Sequence, residues 1–241
     1  MAVEIYITRH GETQENIAGI LQGWLDGTLS EQGRQQSEDL GKRLKKMGLV
    51  FDAIYSSDLG RARETAEIIK AQMGYERPVE YCFELRERDN GMLNTKTIKE
   101  VNGDISLLEM KAMLHCDEYE QMHPCVEKRS SVMARAEKFA RENIFSWFTG
   151  KNGQGDGSLR QHGPGKTRQS NNAKILVVGH GFSNSYLIKE LLGEHDNIQF
   201  HRQENCGLYH IYLKSPGHAL MQHSYGAPLV TVSLGDKSKY A

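Results

Sequence analysis

The apolar positions of this chain follow two periods, and each period predicts a different kind of element. Residues 3–8 are β-branched and alternate with polar positions, and residues 51–57, "FDAIYSS", are similarly patterned, so both segments predict strands. Residues 174–180, "KILVVGH", form an almost continuous apolar run. Such a run is typical of a central strand buried on both faces.

The helical period marks the segments that lie between or after these strands. One helix is predicted to begin after Ser30, a good N-cap residue, and to end near Met47, just before Gly48. A second helix follows Ser57 and Asp58, either of which can cap it. These and the two further helices are predicted at residues 30–47, 59–74, 132–147 and 181–192.

Weaker patterns complete the chain. Residues 79–85 predict a short strand, and residues 206–214 and 218–226 predict a closing β-pair. Residues 17–29 are punctuated by glycine and predict a loop. Residues 150–172 are rich in Gly, Gln, Asn and basic residues and have almost no large apolar side chains, so they predict a flexible surface insertion.

Alternation of strands and helices favours an α/β fold. We expect an open, mostly parallel sheet with helices on both faces, in a single domain over residues 1–241. In such sheets, ligands bind at the carboxyl ends of the strands. Residues that bind a ligand are therefore expected directly after each predicted strand.

Composition narrows the range of partners. The 30 Lys and Arg residues balance 31 Asp and Glu residues, so no overall basic field for nucleic acid exists, and an anion site has to be built locally. The four cysteines show no paired CxxC spacing, which favours free thiols in a reducing compartment. No pattern typical of a signal peptide or membrane span is visible, so we expect a cytoplasmic protein without a membrane partner.

Three predicted strands end in charged or ionisable motifs. The first ends in Arg9-His10-Gly11, the second leads to Arg61 at the start of the next helix, and the third ends in His180-Gly181. Parallel strands bring these motifs to one edge of the sheet. A helix N-terminus is already partly positive, so an added arginine is favourable there only when an anion binds. Guanidinium groups, imidazoles and helix N-termini together suit a phosphate group.

The same residue types can transfer a phosphoryl group. Arginines, a second histidine and a neutral donor such as Asn16 can stabilise the charge on the three equatorial oxygens, while a neutral imidazole attacks phosphorus. The leaving oxygen needs an acid, best supplied by a carboxyl whose pKa a nearby phosphate dianion raises. The segment "ELRERDNG" offers Glu84 and Glu87 for that role.

Each of these signals also has a purely structural interpretation. A histidine after a strand can serve as a structural hydrogen-bonding group, Asn16 can be a turn residue, and Glu87 can belong to a surface ion-pair cluster with its arginine neighbours. The segment "GPGKT" at 163–167 lacks the first glycine of a P-loop and no strand precedes it. The scattered histidines show no HxxxH spacing on a convincing helix, so we expect no metal. The shared sheet edge is what favours a functional site.

The motifs "TRHGETQEN", "LQGWLDGTLSEQGRQQ", "YSSDLGRARETA", "LRERDNG" and "VVGHGFSN" resemble, in order, those of the histidine phosphatase superfamily, which is also called phosphoglycerate-mutase-like. The resemblance spans residues 3 to about 213. It implies a three-layer α/β/α sandwich around a mostly parallel, six-stranded mixed sheet, with no metal or cofactor. It also implies site roles for nine residues: a nucleophile, His10; a proton donor, Glu87; a phosphate pocket of Arg9, Arg61 and His180, helped by Asn16 and Gly181; and a substrate-facing loop with Gln22 and Gly23.

Within that superfamily the chain looks most similar to phosphatases of the TIGAR type, which act on fructose 2,6-bisphosphate and related sugar or glycerate phosphates, and to the broad-specificity branch. Mutases carry an adjacent arginine pair after the acid, whereas residues 111–121 read "KAMLHCDEYEQ". Two segments depart from the phosphatase pattern. "GMLNTKT" replaces a motif of the type GxxEG, and "CVEKR" replaces "GGES", with Glu127 in the place of its glutamate.

The sequence thus predicts a phosphomonoesterase that hydrolyses small phosphorylated metabolites through a phosphohistidine. Two alternatives remain open at this stage. One is a cofactor-dependent phosphoglycerate mutase or phosphotransferase that uses the same phosphohistidine. The other is a weakly active protein that binds phosphate esters, which the altered segments after the acid suggest. The expected partner is a small phosphate ester, and the sequence gives no indication of oligomeric state.

Overall fold

A computed structural model describes residues 2–103, 117–149, 172–193, 203–216, 218–224 and 231–233. Seven strands lie within these ranges and form one sheet: β1 (Val3–Arg9), β2 (Ala53–Ser57), β3 (Glu80–Cys82), β4 (Ala173–Gly179), β5 (Leu208–Ser215), β6 (His218–Ser224) and β7 (Thr231–Ser233). Their order across the sheet is β3-β2-β4-β1-β5-β6-β7.

The sheet is parallel on one side and antiparallel on the other. The β3–β2, β2–β4 and β4–β1 pairs are parallel, whereas the β1–β5, β5–β6 and β6–β7 pairs are antiparallel. The mixed sheet expected from the sequence is therefore confirmed, but the expected count of six strands is one too low. The extra strand, β7, lies in a C-terminal segment whose residue pattern gave no prediction.

Helices cover both faces of the sheet. They are α1 (Gln14–Ile17), α2 (Glu31–Lys46), α3 (Gly60–Met73), α4 (Ile98–Asn102), α5 (Asp117–Met122), α6 (Arg129–Phe139) and α7 (Gly181–Leu192). Alternate residues of β1 point to opposite faces. Val3, Ile5 and Ile7 join a core with α6 and α7, while Tyr6 joins a second core with α2 and α3. This arrangement confirms the three-layer sandwich. No helix in the described ranges is long and apolar enough to cross a membrane.

The helix caps agree with the sequence at α2 and differ at α3. Ser30 Oγ accepts the Gly33 N–H at 3.0 Å, as an N-cap side chain should. At α3, neither Ser57 nor Asp58 caps the helix. The Gly60 N–H instead donates to Asp26 Oδ1 at 2.9 Å, so the loop before α2 supplies the cap.

Two further boundaries differ from the predicted ones. The strand expected over 79–85 is limited to β3, and a 3-10 turn, Phe83–Leu85, follows it. The helix expected over 132–147 begins earlier, at Arg129, and continues beyond α6 as a π-helical segment, Ala140–Ile144. Of the insertion predicted at about 150–172, residues 150–171 lie outside the described ranges, so its flexibility and the single-domain organisation stay predictions.

Candidate active site

Three neighbouring parallel strands end at one edge of the sheet, as the sequence predicted. The register of β1 and β4 pairs Arg9 with Gly179, so His10 and His180 follow directly on adjacent strands. The His10 N–H donates to Gly179 O at 3.0 Å. The two imidazole rings lie with their centroids 5.2 Å apart and their planes 58° apart. The sheet itself therefore brings the two predicted histidines together.

His10 is buried, and its hydrogen bonds define its tautomer. Nδ1 lies 2.7 Å from Gly11 O, which can only accept, so Nδ1 carries the proton. Nε2 then holds the lone pair, and Arg61 Nε donates to it at 3.2 Å. Burial, followed by the charges of Arg61 and Arg9, lowers the pKa of His10 well below its ordinary value of 6.5. His10 is thus a neutral imidazole with Nε2 as its nucleophilic atom.

Arg61 holds a fixed positive charge beside that atom. Its side chain is buried, and burial lowers the pKa of Arg61 to about 10, which leaves it charged at neutral pH. Nη2 donates to Gly23 O at 2.9 Å, and Nη1 donates to the carbonyls of Leu25 and Asp26. The guanidinium therefore connects the nucleophile with the backbone of the loop that precedes α2.

His180 has one ring nitrogen that is available to a ligand. Its Nε2 lies 2.8 Å from Ser57 Oγ, and that hydroxyl already accepts the Leu59 N–H at 3.3 Å. When Ser57 donates its hydroxyl proton to His180 Nε2, the single ring proton lies on Nδ1. Burial, followed by the charge of Arg61, lowers the pKa of His180 well below 6.5. Nδ1 is buried and has no hydrogen-bond partner among the described residues.

Arg9 and Gly181 lie next to each other at the same edge of the sheet. Arg9 is the last residue of β1, and its Nη1 donates to Gln203 O at 3.2 Å. A Cβ atom at Gly181 would lie 3.7 Å from Arg9 Nε, so the first turn of α7 lies against this guanidinium. The positive end of a helix and a second arginine therefore lie beside the histidine pair.

Asn16 is both a turn residue and a candidate ligand. Its Oδ1 accepts the Thr13 N–H at 3.3 Å in a capping box, which leaves its amide NH2 group to donate elsewhere. Asn205 Nδ2 donates to His10 O at 2.9 Å and lies 3.5 Å from Asn16 Oδ1. Asn205 thereby connects the segment before β5 with both predicted site residues.

Glu87 lies at the start of α7. Its Oε2 accepts the Phe182 N–H at 3.2 Å, and its Oε1 accepts the Ser183 N–H at 3.0 Å. N–H groups in the first turn of a helix have no intrahelical partner, so a carboxylate there satisfies them. The charge of Glu87 also acts on Arg61. Glu87 is therefore part of the same cluster as His180.

The surface ion-pair interpretation does not describe Glu87. Its neighbours Arg86 and Arg88 pair with Asp58 and Glu120 instead. The other candidate acid, Glu84, points away and pairs with Lys138 at 2.7 Å. Of the two carboxyl groups in the segment, the structure brings only Glu87 to the histidines.

Gln22 and Gly23 lie in the loop that Arg61 holds. Gly23 has a φ of +47°, and a Cβ atom there would lie 2.1 Å from Asn94 Oδ1, so only glycine fits. The side chain of Gln22 is buried, and its Oε1 has no hydrogen-bond partner in the described part of the chain. Both residues lie near Arg61, and the substrate-facing role that the resemblance implied for this loop stays a prediction.

Sequence reasoning missed three side chains that hold this cluster. Ser57 could have been found, because it ends β2 at the same sheet edge. Asn205 and Arg135 carry no such signal, since each reaches the site from a distant part of the chain. No group of three or more His, Cys, Asp or Glu side chains that could bind a metal ion occurs in the described ranges.

Comparisons with known proteins identify a family and a fold. The family model described as histidine phosphatase superfamily (branch 1) matches residues 5–155, which is more than half of the chain. A 2,3-bisphosphoglycerate-dependent phosphoglycerate mutase of Bradyrhizobium diazoefficiens is 38% identical over 91 residues, which are 37% of this chain and 44% of that protein. The chain therefore matches less than half the length of this curated relative.

Solved structures show the same fold over most of the chain. The phosphoglycerate mutase of Bacillus anthracis has a TM-score of 0.68 and 25% identity, and the match covers 92% of each chain. A mycobacterial glucosyl-3-phosphoglycerate phosphatase has a TM-score of 0.66 and 22% identity, with 88% of this chain and 91% of that chain covered. The phosphoglycerate-mutase-like fold is thereby confirmed, while membership of the TIGAR-type branch stays a prediction.

Proposed function

The chain belongs to the histidine phosphatase superfamily, and from that premise we propose that it is a phosphomonoesterase acting through a phosphohistidine on His10. One observation carries the proposal. The neutral ring of His10 has Nε2 as the acceptor for Arg61, and the His180 ring lies 5.2 Å away with a buried Nδ1 that has no hydrogen-bond partner among the described residues. A nucleophile beside anion-binding donors suits attack on a phosphate ester.

In the first step, the phosphate oxygens replace His10 Nε2 as the acceptor for Arg61. Arg9, His180 and the amide of Asn16 donate to the remaining oxygens, and the released lone pair of His10 attacks phosphorus in line. The bond between phosphorus and the leaving oxygen breaks, and protonated Glu87 gives its proton to that oxygen. The products are an alcohol and phospho-His10.

In the second step, Glu87 acts as a base. Its carboxylate accepts a proton from water, the water oxygen attacks phosphorus, and the bond between phosphorus and His10 Nε2 breaks. Inorganic phosphate leaves, and both residues return to their starting protonation states. The low pKa of His10 helps this step, because the neutral imidazole is a good leaving group at neutral pH.

The substrate class we propose is small phosphorylated metabolites, either sugar or glycerate phosphates. The named relatives and structural neighbours include a glucosyl-3-phosphoglycerate phosphatase and phosphoglycerate mutases, which supports a small polyhydroxylated or carboxylated ester. The buried Oε1 of Gln22 is an acceptor that a substrate hydroxyl could satisfy. No nucleic-acid or membrane partner is part of the proposal.

A mutase is the second candidate, and the curated relative favours it. The matched protein is named a 2,3-bisphosphoglycerate-dependent phosphoglycerate mutase. A mutase would use the same phosphohistidine but return the phosphoryl group to a second hydroxyl instead of water. A protein that binds phosphate esters with little turnover is the third candidate, and it would form no phosphoenzyme.

The test is phosphate release from a panel of esters in EDTA, with wild type beside His10→Ala. The panel contains fructose 2,6-bisphosphate, 2,3-bisphosphoglycerate, 3-phosphoglycerate and 4-nitrophenyl phosphate. We expect release by wild type and a loss of at least about 10⁴-fold in the variant, since the nucleophile is removed. Interconversion of 3- and 2-phosphoglycerate without net release would favour the mutase, and wild-type rates in the variant would contradict the mechanism.

A further inference from the structure

The segment that carries Glu87 has little regular structure of its own. After the 3-10 turn Phe83–Leu85, residues 86–90 form neither helix nor strand. Such a segment does not hold a side chain in place by a backbone ladder. The position of the Glu87 carboxylate therefore depends on contacts that neighbouring elements make with this segment.

Arg135, on α6, contacts this segment through its backbone carbonyls. Nη1 donates to Glu84 O and to Arg86 O, both at 2.9 Å, and Nη2 lies 3.4 Å from Glu87 O. The two remaining donors go to the carboxylate of Glu127, from Nε at 3.0 Å and from Nη2 at 2.8 Å. All five guanidinium N–H groups thus have an acceptor.

The partner of Arg135 holds the other end of the same segment. Glu127 Oε2 accepts the Asp89 N–H at 3.1 Å, and the Glu127 N–H donates to Asp89 O at 2.8 Å. The side chains of Arg135 and Glu127 are only 11% and 13% exposed. A bidentate pair that is this well shielded is ordered and strong compared with a surface ion pair.

We propose that Arg135 is a positioning residue for Glu87, the group that protonates the leaving oxygen. This inference rests on the proposed function. Arg135 does not touch the reacting atoms. It holds the backbone carbonyls of Glu84, Arg86 and Glu87 on one planar group, so that the carboxylate of Glu87 meets the first turn of α7.

A lysine at position 135 cannot make the same set of hydrogen bonds. Its ammonium group has the same charge but only three donors, and they do not form a planar fork. An Arg135→Lys variant therefore keeps the charge near His180 and loses the geometry. Misplacement of a reacting group by about 1 Å can reduce the rate about 10²-fold, so a measurable loss is expected.

The experiment compares kcat/KM for esters whose leaving groups differ in basicity. An alcohol that leaves poorly needs the acid, whereas 2,4-dinitrophenol leaves without a proton. The first half-reaction ends when the alcohol departs, so kcat/KM does not include the water step. Wild type, Arg135→Lys and the reference variant Glu87→Gln are assayed with 2,4-dinitrophenyl, 4-nitrophenyl, phenyl and glyceryl phosphates. Arg141→Lys, on an exposed arginine of the π-helical segment, is the matched control.

We expect Arg135→Lys to lose about 30-fold with glyceryl phosphate and less than about threefold with 2,4-dinitrophenyl phosphate. Glu87→Gln should show the same trend with a larger loss, and Arg141→Lys should match wild type. An equal loss with every ester, or no loss, would overturn the inference. If Glu87→Gln is itself unselective, the acid assignment of the proposed function fails, and the role of Arg135 in acid catalysis fails with it.

Hydrogen exchange gives a readout that is independent of turnover. The amides of Phe182 and Ser183 are protected by Glu87, so Arg135→Lys should speed their exchange at least about tenfold relative to the control. Glu127→Gln, which keeps the size of the side chain, should produce a smaller change in the same amides. Unchanged exchange at these two positions in a folded Arg135→Lys variant would overturn the positioning role.

Discussion

The two halves of the candidate site are held in different ways. The phosphate half, formed by Arg9, His10, Arg61 and His180, lies at strand ends and in the first turn of α3. The acid half, formed by Glu87 and its segment 86–90, lies in irregular backbone that Arg135 and Trp24 hold through carbonyl groups. The sheet therefore fixes the phosphate half, whereas single side chains fix the acid half.

This difference has a chemical consequence. The groups of the phosphate half act on the phosphoryl oxygens, which every substrate shares. The acid half acts on the leaving oxygen, which differs from one substrate to the next. Substitutions in the two halves should thus be separable by how the loss of activity depends on the leaving group.

Among the substitutions that keep the nucleophile, Arg61→Lys should have the largest effect. We expect kcat/KM to fall about 10²–10³-fold and by the same factor for every ester, because an ammonium cannot serve the loop carbonyls and the phosphate together. Arg63→Lys, on an exposed arginine two residues along α3, is the control. A loss of activity only with esters that have poor leaving groups would show that Arg61 acts with the acid half. That result would contradict the division of the site into two halves.

A smaller and selective effect is expected for Trp24→Phe. The indole Nε1 donates to Glu87 O at 2.8 Å, and phenylalanine keeps the ring but removes this donor. We expect about a fivefold to tenfold loss with glyceryl phosphate and almost none with 2,4-dinitrophenyl phosphate. The control is Trp147→Phe, in the 3-10 turn Phe145–Trp147 that follows the π-helical segment, because no hydrogen bond joins its indole to Glu87 O. Equal losses with both esters would show that Trp24 belongs to the phosphate half.

The two histidines of the phosphate half should also make the free energy of unfolding depend on pH. Their pKa values are lowered in the folded state, so below about pH 6.5 the unfolded chain binds more protons than the folded one. Stability is therefore complete above that pH and falls as the pH decreases. Each histidine contributes up to about 1.4 kcal/mol per pH unit to this slope.

Urea unfolding between pH 7 and 5.5 measures that slope. We expect His180→Gln to reduce it by up to about 1.4 kcal/mol per pH unit, since one of the two buried groups no longer titrates. Val50→Ala, at an exposed position without a titratable group, should leave it unchanged. The same slope in wild type and His180→Gln would contradict the interpretation of His180 as a buried neutral ring.

The sequence could predict the phosphate half because its geometry follows from strand order. Arg9, His10 and His180 come directly after two apolar runs, and adjacent parallel strands put their ends together. The position of Arg61 follows in the same way from β2 and α3. For these residues, local patterns and one topological rule were enough.

The acid half could not be predicted from the residue pattern alone. Glu84 and Glu87 were equivalent by residue type, and only the resemblance to a family distinguished them. The contacts that decide between them come from Phe182, Arg135 and Trp24, which lie far from Glu87 along the chain. Strand count failed for a related reason, since β7 depends on pairing with β6 and not on a pattern of its own.

The pairing of β1 with β4 also determines when the site can form during folding. Glu4 and Lys174, which pair across these strands, are 170 residues apart in the chain. Closure of so long a loop is entropically unfavourable and slow compared with helix formation. His10 and His180 meet only when that closure is complete. The rate at which catalysis recovers during refolding therefore measures the formation of the most distant strand pairing in the parallel part of the sheet. The far-ultraviolet circular dichroism signal, which reports helix formation, should recover earlier.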